Sequence, residues 1–161
     1  TDVPADAWYQ NAEETLASLG IVSGVGDGRF IPDRPITRAE FLVIAMRFAA
    51  PPDGEAKSFS DVHEGDWFYD AVTDASRYGW IQGSADGSFG PYHLVTRAQA
   101  TVIVNRMLGR SADRTFIDTH HDLQSFQDVP PTHWAYYDIC EAVNGHDYEK
   151  NGPQERWTAL F

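Results

Sequence analysis

Two arginines in this sequence are placed where they could bind an anion. Arg38 and Arg97 each follow a threonine, in the segments Thr37-Arg38-Ala39-Glu40 and Thr96-Arg97-Ala98-Gln99. Threonine followed three residues later by glutamate or glutamine is a capping box, which predicts that each segment opens a helix. The first turn of a helix carries unpaired N–H groups and the positive end of the helix dipole. An arginine there can grip a carboxylate with two parallel hydrogen bonds, so the spacing predicts two anion sites.

Structural roles are the alternative for the same residues. Helix capping by itself accounts for Thr37, Glu40, Thr96 and Gln99. Each arginine could instead form an ion pair with one of the 24 acidic residues of the chain.

The overall charge limits the classes of partner. The formal net charge is −12 and the isoelectric point is near 4.7. Nucleic acids and anionic membrane surfaces require a basic face, so we expect neither as a partner. No apolar run is long enough to span a bilayer, and the chain does not open with a signal-peptide pattern. The single cysteine, Cys140, is expected to be a small buried hydrophobe.

The elements that must position the two arginines recur along the chain. The first copy contains Asp2-Val3, Trp8, Ala12, Gly20, Gly24, Asp27-Gly28, Phe30, Pro32 and Thr37-Arg38-Ala39. The second copy, at a constant offset of 59 residues, contains Asp61-Val62, Trp67, Ala71, Gly79, Gly83, Asp86-Gly87, Phe89, Pro91 and Thr96-Arg97-Ala98. A third copy begins at Asp128-Val129 and Trp134, a further 67 residues along. The sequence therefore predicts a tandem repeat.

Each full repeat is predicted to be a helix, a glycine-rich loop and a second helix. In the first repeat the helices run from Trp8 to Leu19 and from Thr37 to about Ala49. The second helix is predicted to face the protein core with four apolar positions, Phe41, Ile44, Ala45 and Phe48. The third repeat keeps only its first helix, because residues 145–153 and the segment after them lack both the loop pattern and the Thr-Arg pair. We therefore interpret it as partial or degenerate.

At these residues the chain resembles the S-layer homology family, whose members anchor proteins to the bacterial envelope. The resemblance implies an all-α fold of three helix–loop–helix repeats in a pseudo-threefold bundle. It places repeat 1 at residues 1–52, repeat 2 at residues 59–110 and a partial repeat 3 at residues 126–161, together one compact domain. It also implies grooves between repeats that hold an acidic cell-wall polysaccharide, often one carrying a pyruvate ketal.

Carried over by position, the resemblance implies a set of glycan-binding residues. They are Thr37, Arg38, Thr96, Arg97, Gly24, Gly83, Asp27, Asp86, Trp8, Trp67 and Trp134. Gln99 departs from the family's glutamate but can still cap, and the third repeat has no Thr-Arg pair, so we expect no third site of this kind. For the tryptophans the alternative is a place in the core, and for the two aspartates it is turn formation.

The sequence gives no signal for catalysis, a cofactor or a metal. His120-His121-Asp122, near Asp118, is the one segment with metal-ligand residue types, and a solvated loop is the alternative that we favour. We predict a non-catalytic module at the bacterial cell surface that attaches the remainder of a larger surface protein to a cell-wall polysaccharide or peptidoglycan-linked glycan. The alternatives are a self-assembly module of a surface layer and the anchoring part of a wall-processing enzyme whose catalytic domain lies elsewhere.

Overall fold

The computed structural model describes residues 2–161, so Thr1, the first residue of the predicted first repeat, lies outside it. Within the described part, the chain forms six helices and one two-stranded antiparallel sheet. In chain order they are α1 (Gln10–Ser18), α2 (Arg38–Met46), α3 (Tyr69–Arg77), α4 (Arg97–Met107), α5 (Arg114–Thr119), α6 (Tyr136–Val143), β1 (His146–Asn151) and β2 (Gln154–Leu160). The all-α prediction is therefore right in part, because six of the eight elements are helices and the last two form a sheet.

The chain divides into two compact units. The first unit contains the chain up to Arg77 together with Gly83–Leu94, and the second contains Tyr78–Gln82 together with Val95–Phe161. Each unit therefore contains one of the two Thr-Arg segments. None of the helices seen in residues 2–161 combines the length and the apolar character that crossing a bilayer requires.

In the first unit, α2 packs against α3. The buried residues of α2 are Ala39, Leu42 and Ala45. Small side chains at two of these positions let the two helices approach closely. The predicted inward stripe is wrong in part, because Leu42 is fully buried whereas Phe48 is 51% exposed.

In the second unit, α4 packs against α6. The Asn105 side chain of α4 donates a 2.8 Å hydrogen bond to the backbone carbonyl of Asp138 on α6, which fixes the two helices. A separate apolar cluster contains Ile117 of α5, Cys140 of α6 and Trp157 of β2. Cys140 is 3% exposed, as expected for a small buried hydrophobe.

The hairpin of β1 and β2 forms the end of the third repeat, which the sequence predicted to be partial or degenerate. Tyr148 pairs with Trp157, and the register shifts between Asp147 and Tyr148. The turn contains Gly152 at φ +63°, a conformation that favours glycine. Because alternate residues of a strand face opposite sides, β2 buries Glu155 and Trp157 together.

Candidate functional site

The two arginine helices begin with the same capping geometry. The Thr37 Oγ1 accepts a hydrogen bond from the Glu40 N–H at 3.2 Å, and Glu40 Oε2 accepts from the Thr37 N–H at 2.7 Å. At the second helix, Thr96 Oγ1 accepts from the Gln99 N–H at 3.2 Å, and Gln99 Oε1 accepts from the Thr96 N–H at 3.1 Å. Each arginine is therefore the first residue of its helix.

The two caps differ in charge. Hydrogen bonding from the Thr37 N–H, followed by other contacts that include Arg34, holds the pKa of Glu40 below its usual range, so this carboxylate is ionised. Gln99 is neutral at the same position of α4. An anion approaching the start of α4 therefore meets less repulsion than one approaching α2.

Arg38 is covered by the loop of the following repeat. Its backbone N–H donates to the His93 carbonyl at 2.8 Å, and the Ala39 N–H donates to the Pro91 carbonyl at 3.0 Å. Its Nε donates to the Phe89 carbonyl at 3.0 Å, and its guanidinium carbon lies 4.6 Å from the Phe89 ring centroid. The two backbone N–H groups and the Nε–H of Arg38 thus already have intramolecular partners.

Asp61 holds this loop in place. Its two carboxylate oxygens accept from the Phe89 N–H at 2.7 Å and the Gly90 N–H at 2.8 Å. Burial opposes ionisation of Asp61, but the backbone hydrogen bonds outweigh it and lower the pKa. For Arg38, burial lowers the pKa of the guanidinium, while the negative charge of Asp61 raises it. Arg38 and Asp61 thus both bind the backbone of the loop that contains Phe89 and Gly90.

The aspartate that opens each repeat has a structural role that the sequence motifs did not predict. Asp2 accepts hydrogen bonds of 2.7 Å from the N–H groups of Phe30 and Ile31, at the corresponding positions of the first repeat. The sequence signal for this shared role is the 59-residue offset between Asp2 and Asp61. In both repeats this aspartate fastens the repeat's own glycine-rich loop.

Arg97 is exposed and lines an open cavity of about 350 Å³. The cavity is lined by Thr96, Arg97, Ala98, Thr101, Phe126, Asp128, Val129, His133, Ile139 and Val143. Within this unit, the described residues offer the Arg97 guanidinium no hydrogen bond or ion pair, and the backbone N–H groups of Arg97 and Ala98 have no partner either. Donors and positive charge are therefore available to a ligand.

The difference between the two sites originates in the repeat that follows each arginine. In the first unit, Phe59 is 8% exposed because Phe89 of the glycine-rich loop packs on it, with 5.7 Å between ring centroids. Phe126 occupies the position of Phe59 in the third repeat and is 40% exposed. Since the third repeat has a hairpin in place of that loop, it has no counterpart of Phe89.

The two loop glycines serve the packing of the loops themselves. A Cβ on Gly83, at φ +74°, would lie 2.5 Å from the Phe59 ring. A Cβ on Gly24 would lie 2.5 Å from the Arg29 carbonyl oxygen. Because neighbouring residues of the chain leave no room for a Cβ, packing alone explains why both positions are glycine.

The two loop aspartates lie in turns. Asp86 accepts hydrogen bonds from the Ser88 N–H at 2.9 Å and the Ser88 hydroxyl at 2.7 Å. Asp27 adopts φ +50° and lies 3.9 Å from the Arg29 guanidinium, with 92% of its side chain exposed. These contacts favour turn formation, which was the alternative for both residues.

The three tryptophans lie on the surface, so the core alternative is wrong. Trp8 is 93% exposed, Trp67 is 61% exposed and Trp134 is 63% exposed. The Trp134 ring centroid lies 5.8 Å from that of His133, which lines the Arg97 cavity. Of the three, Trp134 is thus tied to the open site by a direct ring contact.

Known proteins provide an independent comparison. The family model of the S-layer homology domain matches residues 1–42 and 58–101. A cellulosome-anchoring protein of Acetivibrio thermocellus is 30% identical over 161 residues, which cover 95% of this chain and 34% of that protein. A surface layer protein of Brevibacillus choshinensis is 36% identical over 65% of this chain and 10% of its own length. An amylopullulanase of Thermoanaerobacterium thermosulfurigenes is 35% identical over 63% of this chain and 5% of its own length.

These relatives are much longer than the matched segment. The chain spans about a third of the cellulosome-anchoring protein and a tenth or less of the other two. The family match covers more than half of the chain and includes both Thr-Arg segments. This chain therefore belongs to the S-layer homology family.

Proposed function

We propose that this chain is a non-catalytic module that attaches a larger protein to the bacterial cell wall by binding an acidic wall polysaccharide. Its location at the cell surface follows from its family and agrees with the names of its relatives, which include surface layer and anchoring proteins. The tandem arrangement of three repeats, with boundaries at residues 1–52, 59–110 and 126–161, is part of the same proposal.

The open cavity at Arg97 is the observation that carries the proposal. A carboxylate placed there would receive the guanidinium donors of Arg97, the free N–H groups of Arg97 and Ala98, and the positive end of α4. The positive charge at this site comes from Arg97 itself, because the chain as a whole is strongly acidic. An acidic sugar, and not a neutral one, would make use of it.

The remaining walls of the cavity suit the body of a sugar ring. Phe126, Val129, Ile139 and Val143 supply apolar surface next to the polar groups. The exposed Trp134 ring contacts His133, which lines the same cavity, so it could stack against the apolar face of a pyranose bound beside His133. A ligand with a carboxylate at one end and a sugar face at the other would match both surfaces.

We also retain Arg38 as a second, weaker site. The loop that carries Phe89 engages its Nε–H and the N–H groups of the helix start, so binding an anion with all of these donors requires that loop to open. This weaker part of the proposal also includes the remaining predicted glycan-binding residues, which are Thr37, Gly24, Gly83, Asp27, Asp86, Trp8 and Trp67.

Glycan pull-down with purified cell walls tests the proposal. We expect Arg97→Ala to lose most of the binding and Arg38→Ala to lose less. Arg156→Ala is the matched control, because Arg156 is exposed on the hairpin and is not among the residues that line the Arg97 cavity. Undiminished binding by the Arg97→Ala/Arg38→Ala double variant would remove the arginine mechanism.

The relatives also support the alternative in which the chain is the anchoring part of an enzyme. One of them is named as an amylopullulanase, and the aligned part is a small fraction of its length. We propose that this chain supplies attachment in either case, and that any catalytic activity belongs to other parts of the protein. Self-assembly is tested separately by light scattering: concentration-dependent oligomers without any wall binding would favour the surface-layer alternative.

A further inference from the structure

A cluster of buried charged side chains lies in the second unit, apart from the arginine site. Glu141 of α6, His146 of β1 and Glu155 of β2 have side chains that are 0% exposed. One ligand atom from each lies within 4.8 Å of the other two. We propose that these three residues form a site for a first-row divalent cation of borderline softness, with Zn²⁺ as the best fit.

The hydrogen bonds around His146 determine which ring nitrogen faces the cluster. Its Nδ1 lies 2.7 Å from the Asn144 carbonyl oxygen, which can only accept, so Nδ1 carries the proton. In the tautomer with its proton on Nδ1, Nε2 offers its lone pair 3.4 Å from Glu141 Oε1 and 3.8 Å from Glu155 Oε2, and Arg110 Nη2 lies 3.4 Å from the same nitrogen. A ligating histidine that donates its other N–H to a backbone carbonyl is the usual arrangement in metal sites.

Each carboxylate is likewise held by a hydrogen bond to one oxygen, and its other oxygen accepts no hydrogen bond from the described residues. Glu141 Oε2 accepts from the Trp157 indole N–H at 3.1 Å, and Glu155 Oε1 accepts from the Lys150 ammonium at 2.8 Å. Glu141 Oε1 and Glu155 Oε2 are buried and make no hydrogen bond within residues 2–161. Unsatisfied buried carboxylate oxygens are costly, so their convergence on one point favours a cation there.

The distances suit a tetrahedral ion. His146 Nε2 lies 3.4 Å from Glu141 Oε1 and 3.8 Å from Glu155 Oε2. Two ligands about 2.0 to 2.1 Å from a tetrahedral zinc ion lie about 3.4 Å apart. Mixed imidazole and carboxylate ligands favour zinc and its first-row neighbours over calcium, which prefers oxygen ligands alone.

Arg110 is the competing cation. Its Nε lies 2.7 Å from Glu141 Oε1, yet neither atom makes an aligned hydrogen bond, and Glu155 Oε2 is left without a donor among the described residues. The Arg110 side chain is 31% exposed and can therefore turn toward solvent. A metal ion would satisfy the histidine and both free oxygens together, and would tie α6 to both strands of the hairpin.

The test uses the full chain without a histidine tag, stripped with chelator and titrated with Zn²⁺ by calorimetry. We expect one equivalent to bind and the melting temperature to rise, with Ca²⁺ giving neither effect. Glu155→Gln and His146→Gln should weaken binding by about tenfold or more. Co²⁺ should give a visible absorption band that His146→Gln abolishes.

Two variants distinguish zinc binding at this cluster from zinc binding elsewhere on the chain. Arg110→Gln removes the competing charge, so zinc should bind this variant more tightly than the natural chain. The double variant His120→Gln/His121→Gln should bind zinc normally, since His120 is engaged at the end of α5, with its Nδ1 2.8 Å from the Phe116 carbonyl. Failure of the natural chain to bind zinc, or equal binding by the Glu155→Gln variant, would overturn the proposal and leave an ion-pair network with Arg110 or a buried water.

Discussion

The two arginine sites share a motif and differ in what surrounds it. Both arginines follow a capping threonine, and both open a helix. Arg38 is hydrogen-bonded to the Phe89 carbonyl and stacked on its ring, whereas Arg97 faces an open cavity. Whether the arginine is covered or open depends on the repeat that follows it, because the loop that covers Arg38 has no counterpart beside Arg97. The motif therefore predicts the position of the arginine but not its availability to a ligand.

The largest expected effect concerns the aspartate that fastens the covering loop. Asp61→Ala leaves the buried N–H groups of Phe89 and Gly90 without acceptors, so it should lower the free energy of unfolding by about 3 kcal/mol. Asp128→Ala, at the matching and exposed position of the third repeat, should change it by less than about 0.5 kcal/mol. Urea denaturation measures both, and equal losses would contradict the contrast between the two sites.

The same aspartate should make the first unit sensitive to acid. The pKa of Asp61 is lowered below its ordinary value of 3.8, so its stabilising effect is complete above that pH and is lost as the pH falls toward the folded-state value. The difference in melting temperature between the natural chain and Asp61→Ala should therefore shrink as the pH drops from about 6 to about 2. A difference that stays constant over this range would show that the carboxylate charge is not involved.

Replacing the arginines should give a smaller effect on stability, in the opposite order from their effect on binding. Arg38→Ala removes a hydrogen bond to the Phe89 carbonyl and a contact with its ring, and should lower the free energy of unfolding by about 1.5 kcal/mol. Arg97→Ala should change it by less than about 0.5 kcal/mol, because its side chain is exposed. Thermal denaturation distinguishes the two, and a larger loss for Arg97→Ala would reverse our assignment.

The smallest effect should be the same at both helices. Thr37→Ala and Thr96→Ala each remove a capping hydrogen bond of 3.2 Å and should each lower the free energy of unfolding by about 1 kcal/mol. Thr37→Ala also removes a 3.0 Å hydrogen bond that its hydroxyl donates to Glu40 Oε2 within the same cap. Thr37→Ser and Thr96→Ser are the matched controls, since serine keeps the hydroxyl. Unequal losses would show that the surroundings of the helix starts act on the caps as well as on the arginines.

Much of the fold could be predicted because it depends on local sequence. The capping boxes, the glycine-rich loops and the four repeat helices all have short-range signals, and the internal repeat places them in register. The hairpin was not predicted, since β1 is a run of polar and charged residues without the apolar alternation of a half-buried strand. Its buried side includes Glu155 and His146, which pattern analysis assigns to the surface.

The candidate site could be predicted only as a set of residue types. Sequence spacing identified both arginines but could not show that Phe89 covers one of them, because that contact joins residues 51 positions apart. Nor could spacing place the tryptophans, since large aromatic residues are usually buried and Trp8 is 93% exposed. The cluster of Glu141, His146 and Glu155 lacks any short ligand motif, so three-dimensional proximity alone identifies it.

The central claim is that the start of α4 is open to an anion whereas the start of α2 is closed by its own chain. An NMR titration with a carboxylate-bearing disaccharide, such as a pyruvylated one, tests this most directly. We predict that the amide signals of Arg97 and Ala98, together with the Arg97 Nε–H signal, shift saturably while those of Arg38 and Ala39 stay fixed at the same concentrations. Shifts confined to Arg38 and Ala39, with no change at Arg97, would contradict the account.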